Sequence, residues 1–391
     1  MATHRLAFLS THPIQYHSPF FRELASTSGV DLDVYYCYNP TPQQQGNAGF
    51  GVDFEWDIPL LEGYSSTFLT QKLTIRKVIA AGSYDAVVIN GWSYHQAICA
   101  IFACWASGTP VMIRSDSHLN TPRHHVKRLM KYLPYRAFIS RMDACLSVGQ
   151  WSTDYYLHYG AKPERVFQVP HVIDQNRFDR EIEKYSPARE ELRRAWRLGK
   201  NTIVFLFVGK FISKKRPKDF IRAVHLAACR DSRIQGLMVG DGPLREECES
   251  LTQRLAAPIH FAGFLNQSEI ISAYVASDAL ILPSDGGETW GLVVNEAMYC
   301  RLPCLVSSKV GCGPDLVSPD TGGIFPLGDV EHLASHVAGL AEDTRELTAM
   351  GCRARQLIQQ RYSPANAVEG LLEAVDALSR IGPSHAGLPT R

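Results

Sequence analysis

The chain has 391 residues, which is enough for two domains of ordinary size, since domains cluster near roughly 100–200 residues. Its net charge is +1 and charged residues amount to 20%, so the bulk charge argues against a strongly basic nucleic-acid-binding protein and against an acidic tail protein. The ten cysteines form no C-x-x-C pair, which argues against a zinc cluster and a disulfide framework. No apolar stretch approaches the ~20 residues that span a membrane, so we predict a cytoplasmic protein that binds no nucleic acid.

Short apolar strands alternate with helical patterns along the chain. In the first half, strands are predicted at 5–10, 31–37, 85–90, 110–115, 143–148 and 166–169, and helices at about 17–28, 93–107, 123–141 and 150–160. In the second half, strands are predicted at 202–208, 235–239, 258–261, 278–282 and 303–306, again separated by helices. Continuous apolar strands between helices are typical of parallel sheets covered on both faces. Two such series predict an α/β fold with two doubly wound, Rossmann-like domains.

The boundary between the two series falls in a polar, charge-rich stretch. We predict an N-terminal domain over 1–174, a linker over 175–200 that contains one short helix, and a C-terminal domain over 201–362. Residues 382–391 are predicted to form a flexible tail.

The strongest chemical signal follows the strand predicted at 278–282. The sequence Pro-Ser-Asp-Gly-Gly-Glu-Thr-Trp-Gly begins at Pro283 and runs into an apolar helical pattern. In open α/β sheets ligands bind at the carboxyl ends of strands, and a helix start presents N–H groups to an anion such as a diphosphate. Glu288 precedes this helix and Glu296 lies about two turns into it, so the two carboxylates can accept hydrogen bonds from different hydroxyl pairs of one long ligand. Gly291 lets the backbone come close to that ligand.

A cluster of cations follows the strand predicted at 202–208. The segment starts with Gly209 and Lys210 and has Lys215 near its end. Pro217 follows and suits the first position of a helix. Cations at a strand end beside a helix start form a phosphate site. They would stabilise the charge that develops on a diphosphate leaving group when a glycosidic bond breaks.

These motifs together resemble the signature of the family-4 retaining glycosyltransferases, which have the GT-B fold of two Rossmann-like domains facing across a cleft. In that family the first glutamate of S-x-x-x-E-x-W-G-x-x-x-x-E-A contacts donor-sugar hydroxyls and the second contacts the nucleotide ribose. The resemblance gives these roles to Glu288 and Glu296. Lys215 falls on the family's diphosphate-binding lysine, whereas Lys210 replaces an arginine and lacks its bidentate fork. The resemblance further implies donor contacts from Thr289, Trp290, Gly291 and Leu292.

Weaker similarities to the same family follow other predicted strands. Gly240 lies in the sequence V-G-D-G-P, and Gly263 with Phe264 lies at a strand end that flanks the nucleotide base in the family. The resemblance assigns all three residues to the donor site. Residues 308–315 resemble the family's G-G-x-x-E loop in altered form, and the resemblance covers roughly 165–330 well.

The first half matches the family less closely, as expected of an acceptor-binding domain. Its first predicted strand is followed by Thr-His-Pro-Ile-Gln-Tyr-His, and a similar H-P-I-Q-Y start occurs in a bacterial subgroup of these transferases. After the strand predicted at 110–115, Asp116 aligns with a position where many members carry His-Asp, and His118 lies two residues further on. Either side chain can contact donor sugar or acceptor, and a structural role for His118 is equally open. The acceptor-side candidates are His12, Gln15, Tyr16 and Arg114.

A basic stretch also lies in the first half. Residues 117–142 contain no acidic side chain, and their cations, interleaved with apolar residues, are Arg123, Lys127, Arg128, Lys131, Arg136 and Arg141. A basic amphipathic helix over 123–141 either lies on an anionic membrane surface, steers an anionic acceptor, or is a solvated face. Peripheral attachment to a membrane is therefore a hypothesis.

The function that these features predict is transfer of a sugar, with retention of its anomeric configuration, from a nucleotide-diphosphate sugar to a glycan, glycolipid or small-molecule acceptor. Bacterial polysaccharide or glycoconjugate biosynthesis is the setting that the subgroup resemblance implies. The catalytic candidates are Lys210, Lys215, Glu288, Asp116 and His118. No cluster has metal-ligand spacing, so we predict no metal or other cofactor.

Three further expectations complete the sequence analysis. The resemblance implies that the last helix, about 363–381, returns to the first domain. A nucleotide-sugar-binding protein without turnover is one alternative function. An NAD-type oxidoreductase is another, although neither predicted domain has a full G-x-G-x-x-G motif.

Overall fold

The computed structural model describes residues 4–46, 49, 51–122 and 124–381. Arg123 of the predicted basic helix and the predicted tail at 382–391 lie outside the described residues. The chain divides into two compact units. Unit 1 comprises Met1–Pro40, Pro59–Ile173 and Tyr362–Arg391, and unit 2 comprises Thr41–Ile58 and Asp174–Arg361.

Unit 1 is built on a parallel β-sheet. Its described strands are β1 (His4–Ser10), β2 (Val30–Tyr36), β3 (Ser65–Phe68), β4 (Ala86–Asn90), β5 (Val111–Ser115), β6 (Ala144–Ser147) and β7 (Val166–Gln168), in the spatial order β3-β2-β1-β4-β5-β6-β7. The first helices in chain order are α1 (Ser18–Ser26), α2 (Pro42–Gln45), α3 (Ile75–Gly82), α4 (His95–Ser107), α5 (His125–Ile139) and α6 (Gln150–His158). All of these helices except α2 belong to unit 1.

The strands of unit 1 are apolar because helices cover both faces of the sheet. On one face Phe8 of β1 packs edge-on against Phe21 of α1, with ring centroids 5.1 Å apart. On the other face Ile89 of β4 and Ile101 of α4 belong to a second buried cluster. The carboxyl ends of the strands, with the loops that follow them, are left for binding.

Unit 2 has a second parallel sheet. Its described strands are β8 (Ile203–Val208), β9 (Ile234–Val239), β10 (Ile259–Gly263), β11 (Ala279–Leu282), β12 (Cys304–Ser307) and β13 (Gly322–Phe325), in the order β10-β9-β8-β11-β12-β13. Its further helices are α7 (Gln175–Tyr185), α8 (Arg189–Ala195), α9 (Pro217–Ala228), α10 (Arg245–Leu255), α11 (Ile270–Ala276), α12 (Leu292–Tyr299), α13 (Gly313–Leu316), α14 (Val330–Glu342) and α15 (Thr344–Arg361). This strand order is that of a dinucleotide-binding sheet. The predicted fold class, α/β with two Rossmann-like domains, is confirmed.

The last described helix, α16 (Pro364–Ile381), belongs to unit 1. A Cβ atom on Gly370 would lie 1.9 Å from the carbonyl oxygen of Gln168, so the helix packs its backbone directly against the end of β7. Near the other end of the helix, His4 Nε2 lies 3.7 Å from Asp376 Oδ1. The resemblance implied this return to the first domain for residues 363–381.

The segment 175–200 forms α7 and α8 of unit 2 rather than a linker. Two of its arginines pair with a carboxylate that is distant in sequence. Arg193 is buried and donates to Asp278 Oδ2 at 2.6 Å and to Ala276 O at 2.9 Å. Arg189 donates to Asp278 Oδ1 at 2.6 Å. The composition looks like a linker because the acidic partner of these arginines lies far away in the sequence.

Two edge strands and one stretch of chain were not predicted. The sequences of β3 (SSTF) and β13 (GGIF) lack a long apolar run, and these strands pair at the edges of their sheets, as between Asp33 and Ser65 or between Cys304 and Gly322. Residues 41–58, which we placed in the N-terminal domain, are assigned to unit 2. Their polar sequence has neither strand nor helix periodicity, so contacts distant in sequence decide their position.

Candidate active site

The loop between β11 and α12 is folded by its own polar groups. Asp285 Oδ1 accepts a hydrogen bond from Gly287 N at 2.7 Å, and Asp285 O accepts one from Glu288 N at 3.0 Å. The loop after β8 holds it from one side, because Asp285 N donates to Lys214 O at 2.8 Å and Lys214 Nζ donates to Gly287 O at 3.2 Å. Since β8 and β11 are neighbours in the sheet, the predicted cation cluster lies beside the predicted glutamate.

Lys215 and Glu288 form a short ion pair between Nζ and Oε2. Their side chains are only 12% and 11% exposed, so the pair is largely withdrawn from water. Burial raises the pKa of Glu288, but the charge and hydrogen bond of Lys215, the charge of Lys214 and a hydrogen bond with Ser284 outweigh it and hold this pKa below its ordinary value. Glu288 is therefore an ionised acceptor for hydroxyl groups at neutral pH.

Lys210 is half-buried at the same edge of the sheet. Burial lowers the pKa of Lys210, and the charges of Lys214 and Lys215 lower it further, while Glu288 opposes them. Three ammonium groups and one carboxylate therefore lie close enough to act on one another. This excess of positive charge suits an anionic ligand such as a diphosphate.

The predicted glycines of the donor site lie at the ends of adjacent strands. Gly209 and Gly240 directly follow β8 and β9, and Gly263 is the last residue of β10. A Cβ atom on Gly240 would lie 2.0 Å from Gly209 O, and Gly240 N donates to Gly263 O at 2.8 Å. A Cβ atom on Gly263 would meet nothing within 4 Å. The strand ends are thus tightly packed at Gly240 and open at Gly263.

The turn into α12 contains the next predicted residues. Gly291 caps the helix with φ of +101°, which favours glycine, and Leu292 is the first helical residue. The first N–H groups of a helix have no partner within the helix, so they are available to a ligand. A Cβ atom on Gly311 would lie 1.8 Å from Thr289 O, and Gly311 N donates to Glu288 O at 3.1 Å. The loop after β12, which was noted only through the resemblance, therefore packs directly against Glu288 and Thr289.

Trp290 and Glu296 are anchored inside unit 2. Trp290 Nε1 donates to Asn295 Oδ1 at 2.8 Å, with both side chains buried. Tyr274 OH donates to Glu296 Oε2 at 2.6 Å, and Glu296 is only 2% exposed. Sequence reasoning missed Tyr274 because it lies in the apolar segment IISAYVA and looks like a core residue.

Phe264 packs against the segment 41–58, which is part of the same unit. Its ring centroid lies 4.7 Å from that of Phe54, and Asn266 Nδ2 donates to Glu55 O at 2.7 Å. Residues 41–58 therefore contribute an aromatic side chain beside the predicted base-flanking residue. Sequence reasoning did not find Phe54, because nothing local in the sequence indicates this packing.

The loop after β1 carries His12, Gln15 and Tyr16, all half-buried. His12 Nδ1 lies 3.0 Å from Thr11 Oγ1, and its ring stacks on Tyr38 at a centroid distance of 5.3 Å. Burial lowers the pKa of His12, so its imidazole is neutral at pH 7 and can both donate and accept hydrogen bonds.

Arg114 of β5 is buried and holds the chain that follows β7. Its Nη2 donates to Pro170 O at 2.9 Å and to Val169 O at 3.2 Å. Burial lowers the pKa of Arg114 to about 10, and the charge of Asp116 opposes this shift. Its observed hydrogen bonds are to the protein backbone.

His118 and Asp116 follow β5. His118 is buried, its Nδ1 accepts from Asn120 N at 3.2 Å, and its ring centroid lies 5.1 Å from that of Trp151. Asp116 is half-buried and acts on the charge of Arg114. The structure thus gives His118 a structural contact and leaves Asp116 nearer to solvent.

A residue that sequence reasoning missed, His17, lies in the same part of unit 1. Burial lowers the pKa of His17 to about 3, and the charges of Arg114 and His12 contribute. Burial likewise lowers the pKa of His171, again with Arg114 and His17 contributing. A second histidine in the loop after β1 is visible in the sequence, but its neighbourhood with Arg114 is not. Over the described ranges, no group of three or more His, Cys, Asp or Glu side chains is arranged to hold a metal ion.

In unit 2, Lys210, Lys215 and Glu288 lie together at the carboxyl ends of β8 and β11. Residues 188–357 match the family model of glycosyl transferases group 1. The matched region includes Lys210, Lys215, Glu288 and Glu296. It thus contains the whole donor-side constellation of unit 2 except Phe54.

Curated relatives match parts of the chain. A sulfoquinovosyl transferase of Arabidopsis thaliana is 38% identical over 121 residues, which are 29% of this chain and 23% of the relative. An N-acetyl-alpha-D-glucosaminyl L-malate synthase of Bacillus anthracis is 28% identical over 177 residues, which are 44% of this chain and 45% of the relative. The matches thus span less than half the length of these two relatives.

A solved structure matches nearly all of the chain. HepE of Anabaena in complex with UDP has a TM-score of 0.73 at 18% identity, covering 96% of this chain and 100% of that chain. The same protein in complex with UDP-glucose has a TM-score of 0.69 at 18% identity, covering 96% and 100%. At this identity the likeness shows the fold, which is that of the GT-B glycosyltransferases.

Proposed function

We propose that the chain transfers a glycosyl group from a nucleotide-diphosphate sugar to an acceptor hydroxyl. The observation that carries this proposal is the nearly buried Lys215–Glu288 pair at the ends of β8 and β11, with Lys210 beside it. The pair combines an acceptor for sugar hydroxyls with cations for a diphosphate, within the region that matches glycosyl transferases group 1. One nucleotide sugar has both the hydroxyl groups that Glu288 can bind and the diphosphate that the lysines can bind.

Each donor-side residue has a role in this proposal. Lys210 and Lys215 bind the diphosphate, together with the N–H groups at the start of α12. Glu288 accepts hydrogen bonds from hydroxyls of the transferred sugar. Glu296, held by Tyr274, accepts them from the ribose, and Phe264 lies against the base.

The proposed reaction breaks the bond between the anomeric carbon and the diphosphate oxygen. The electron pair of that bond goes to the leaving diphosphate, whose growing charge Lys210 and Lys215 stabilise. The acceptor oxygen attacks the same face of the sugar that the diphosphate leaves, so the anomeric configuration is retained. The acceptor proton passes to the departing diphosphate oxygen, which balances the step without a protein nucleophile or a metal ion.

Uridine diphosphate sugars are the donors to test first, because the HepE structures contain UDP and UDP-glucose. The acceptor side is unit 1, with His12, Gln15, Tyr16 and Asp116 as contact candidates. Assembly of a bacterial glycoconjugate is the proposed setting.

A thermal-shift screen tests the donor site. Purified protein is heated with UDP-glucose, UDP-N-acetylglucosamine and GDP-mannose, alongside Glu296→Ala and the control Glu342→Ala, whose side chain is exposed in α14. A donor at 100 times its Kd stabilises the folded state by about 2.7 kcal/mol. We expect the shift in wild type and in Glu342→Ala but not in Glu296→Ala. Failure of every nucleotide sugar to shift the wild type contradicts the donor site.

Turnover is measured separately with the donor that the screen identifies. We expect release of the nucleoside diphosphate, an unchanged rate in EDTA, and a product whose anomeric proton coupling matches that of the donor. Binding without transfer to any acceptor or to water would instead identify a nucleotide-sugar-binding protein without turnover. An inverted product would contradict the same-face route.

We also propose that unit 1 attaches to an anionic membrane surface through α5. Tyr135 and Ile139 of this helix pack on the core of unit 1. A second apolar stripe faces solvent at the spacing i, i+3, i+4, i+7, with exposed fractions of 57% for Val126, 78% for Leu129, 72% for Met130 and 72% for Leu133. Side chains with this exposure at helical spacing form one continuous apolar surface.

The charges around this stripe indicate the partner. Lys127, Arg128 and Arg136 are exposed on the same helix, and the stretch 117–142 has no acidic residue. Apolar side chains flanked by cations fit the boundary between acyl chains and anionic headgroups. Of the helices in the described residues, none is long and apolar enough to cross a bilayer.

Vesicle sedimentation tests this attachment. We expect binding to vesicles that contain phosphatidylglycerol, weaker binding to pure phosphatidylcholine, and release by salt. The variant Leu129→Gln/Leu133→Gln should bind several-fold more weakly, whereas Ile324→Gln, which changes an exposed apolar residue of unit 2, should bind like wild type. Equal sedimentation of wild type with both vesicle types, or of both variants, contradicts the proposal.

A further inference from the structure

Unit 1 contains a cavity of about 690 Å³ at the carboxyl ends of β2 and β3. Cys37, which directly follows β2, and Leu69, which directly follows β3, line it. The cavity also borders Thr74 and His95, where α3 and α4 begin. Its size lies within the roughly 300–1,000 Å³ that is usual for small-molecule sites.

The ionisable side chains Arg76 and His95 that line this cavity are basic. Among the described residues that line it, none is acidic, whereas Arg76 and His95 can carry positive charge. Both side chains contact the sulfur atom of Cys99. Arg76 Nη2 lies 3.9 Å and His95 Nε2 lies 3.3 Å from Cys99 Sγ. A single oxyanion placed there could contact both.

The rest of the lining fits a hydroxyl-bearing body attached to that anion. Thr70, Gln71 and Gln96 supply hydroxyl and amide groups, and Leu69 and Ile75 supply apolar surface. Small-molecule sites have this mixture of apolar walls and a few directed polar groups. The starts of two helices at the cavity add partial positive charge, which reinforces Arg76 and His95.

The cavity adjoins the loop that carries the acceptor-side candidates. Cys37 N donates to Ser10 O at 3.1 Å and to Thr11 O at 3.0 Å, so the lining residue after β2 is fixed to the loop after β1. His12 in that loop stacks on Tyr38, the neighbour of Cys37. An acceptor in the cavity would therefore lie next to this loop.

We propose that this cavity binds an acceptor through an oxyanion, a phosphate or carboxylate, held by Arg76 and His95. The inference rests on the proposed function and specifies its acceptor as a small anionic hydroxyl compound, such as a sugar phosphate. Arg76 supplies a planar fork that matches an oxyanion, and the absence of acidic lining among the described residues removes repulsion.

Cysteine alkylation tests the site without requiring turnover. Cys99 lines the cavity, whereas Cys229 and Cys352 are exposed elsewhere in the chain, so all three are followed in one sample by mass spectrometry after treatment with iodoacetamide. The probes are glucose 6-phosphate, inorganic phosphate and malonate at millimolar concentration, with glucose as the uncharged control. We expect an oxyanion probe to slow labelling of Cys99 by about fivefold when about four-fifths of the sites are filled, and to leave the other two cysteines unchanged.

Two variants on α3 make the test specific. Arg76→Gln should abolish the protection of Cys99. Lys77→Gln should retain it, because Lys77 is exposed, donates to Lys72 O at 3.0 Å and does not line the cavity. Protection by phosphate and protection by malonate both support an oxyanion site. The ratio of the two degrees of protection shows whether the site prefers a phosphate or a carboxylate.

Several results would overturn this inference. They are no protection by any oxyanion, equal protection by glucose, or protection that survives in Arg76→Gln. None of them depends on the donor site. A nucleotide sugar that stabilises the protein while oxyanions leave Cys99 unprotected would refute the cavity and keep the proposed function.

Discussion

In unit 2, Lys215 Nζ and Glu288 Oε2 form an ion pair that is almost withdrawn from water. Removing one member of such a pair leaves an uncompensated buried charge, which costs about 3–5 kcal/mol. We expect Lys215→Met to lower the free energy of unfolding by that amount, and Lys215→Met/Glu288→Gln to recover part of it. Urea unfolding of the three proteins measures this. A double variant no more stable than the single one would mean that the pair does not act through charge.

The same lysine has a predicted effect on turnover. If Lys215 stabilises the leaving diphosphate, Lys215→Met should lower kcat/KM by about 10²–10³, the usual effect of one transition-state contact. Lys218→Met is the control, because Lys218 pairs with the exposed Glu247 on the surface. Steady-state release of nucleoside diphosphate measures both variants. Equal losses in both would remove the assignment of Lys215 to catalysis.

The pair also predicts a dependence of stability on pH. The pKa of Glu288 is depressed in the folded protein, so its contribution is present above the unfolded-state pKa and is lost as pH falls through the folded value. Without Lys215, burial should raise that pKa. The difference in Tm between wild type and Lys215→Met should therefore be greatest near pH 7 and shrink toward pH 4. A difference that is constant with pH would contradict this.

Gly240 should tolerate a methyl group far less well than Gly263. Both have positive φ, but a Cβ atom on Gly240 would lie 2.0 Å from Gly209 O, whereas one on Gly263 would meet nothing within 4 Å. We expect Gly263→Ala to cost about 1–2 kcal/mol from backbone strain alone. Gly240→Ala should cost clearly more, or fold poorly. Calorimetry compares them, and equal Tm values would show that the strand ends move apart at little cost.

Much of this site could be predicted because its residues lie in contiguous motifs. Gly209 directly follows β8, Lys215 lies in the loop after β8 and Glu288 in the loop after β11, and the ends of parallel strands meet at one edge of the sheet. Lys214, which ties the two loops together, lies next to a predicted residue and was within reach of the same argument.

The residues that escaped prediction depend on contacts distant in sequence. Tyr274 looks like core until it is found opposite Glu296, and Phe54 has no local pattern that places it on Phe264. The acidic partner of Arg193 is likewise separated from it by three strands, which made α8 look like part of a linker. Local sequence predicts strand ends well, but the partners that meet there depend on tertiary packing.

The last prediction concerns His17 in unit 1. Its folded pKa of about 3, set by burial with Arg114 and His12, lies far below the unfolded value near 6.5. A histidine with a depressed pKa contributes full stability above about pH 6.5, and this contribution is lost progressively as pH falls toward 3.

Replacing His17 with a side chain that does not titrate should therefore reduce the loss of stability in acid. We expect the Tm of His17→Gln to fall less than that of wild type between pH 7 and pH 4.5. Each kcal/mol of difference in the free energy of unfolding corresponds to about 2–4 °C in Tm. The exposed His124→Gln should follow the wild-type curve, because its ring is already solvated. Parallel curves for all three proteins would mean that His17 is protonated in the folded state at no cost.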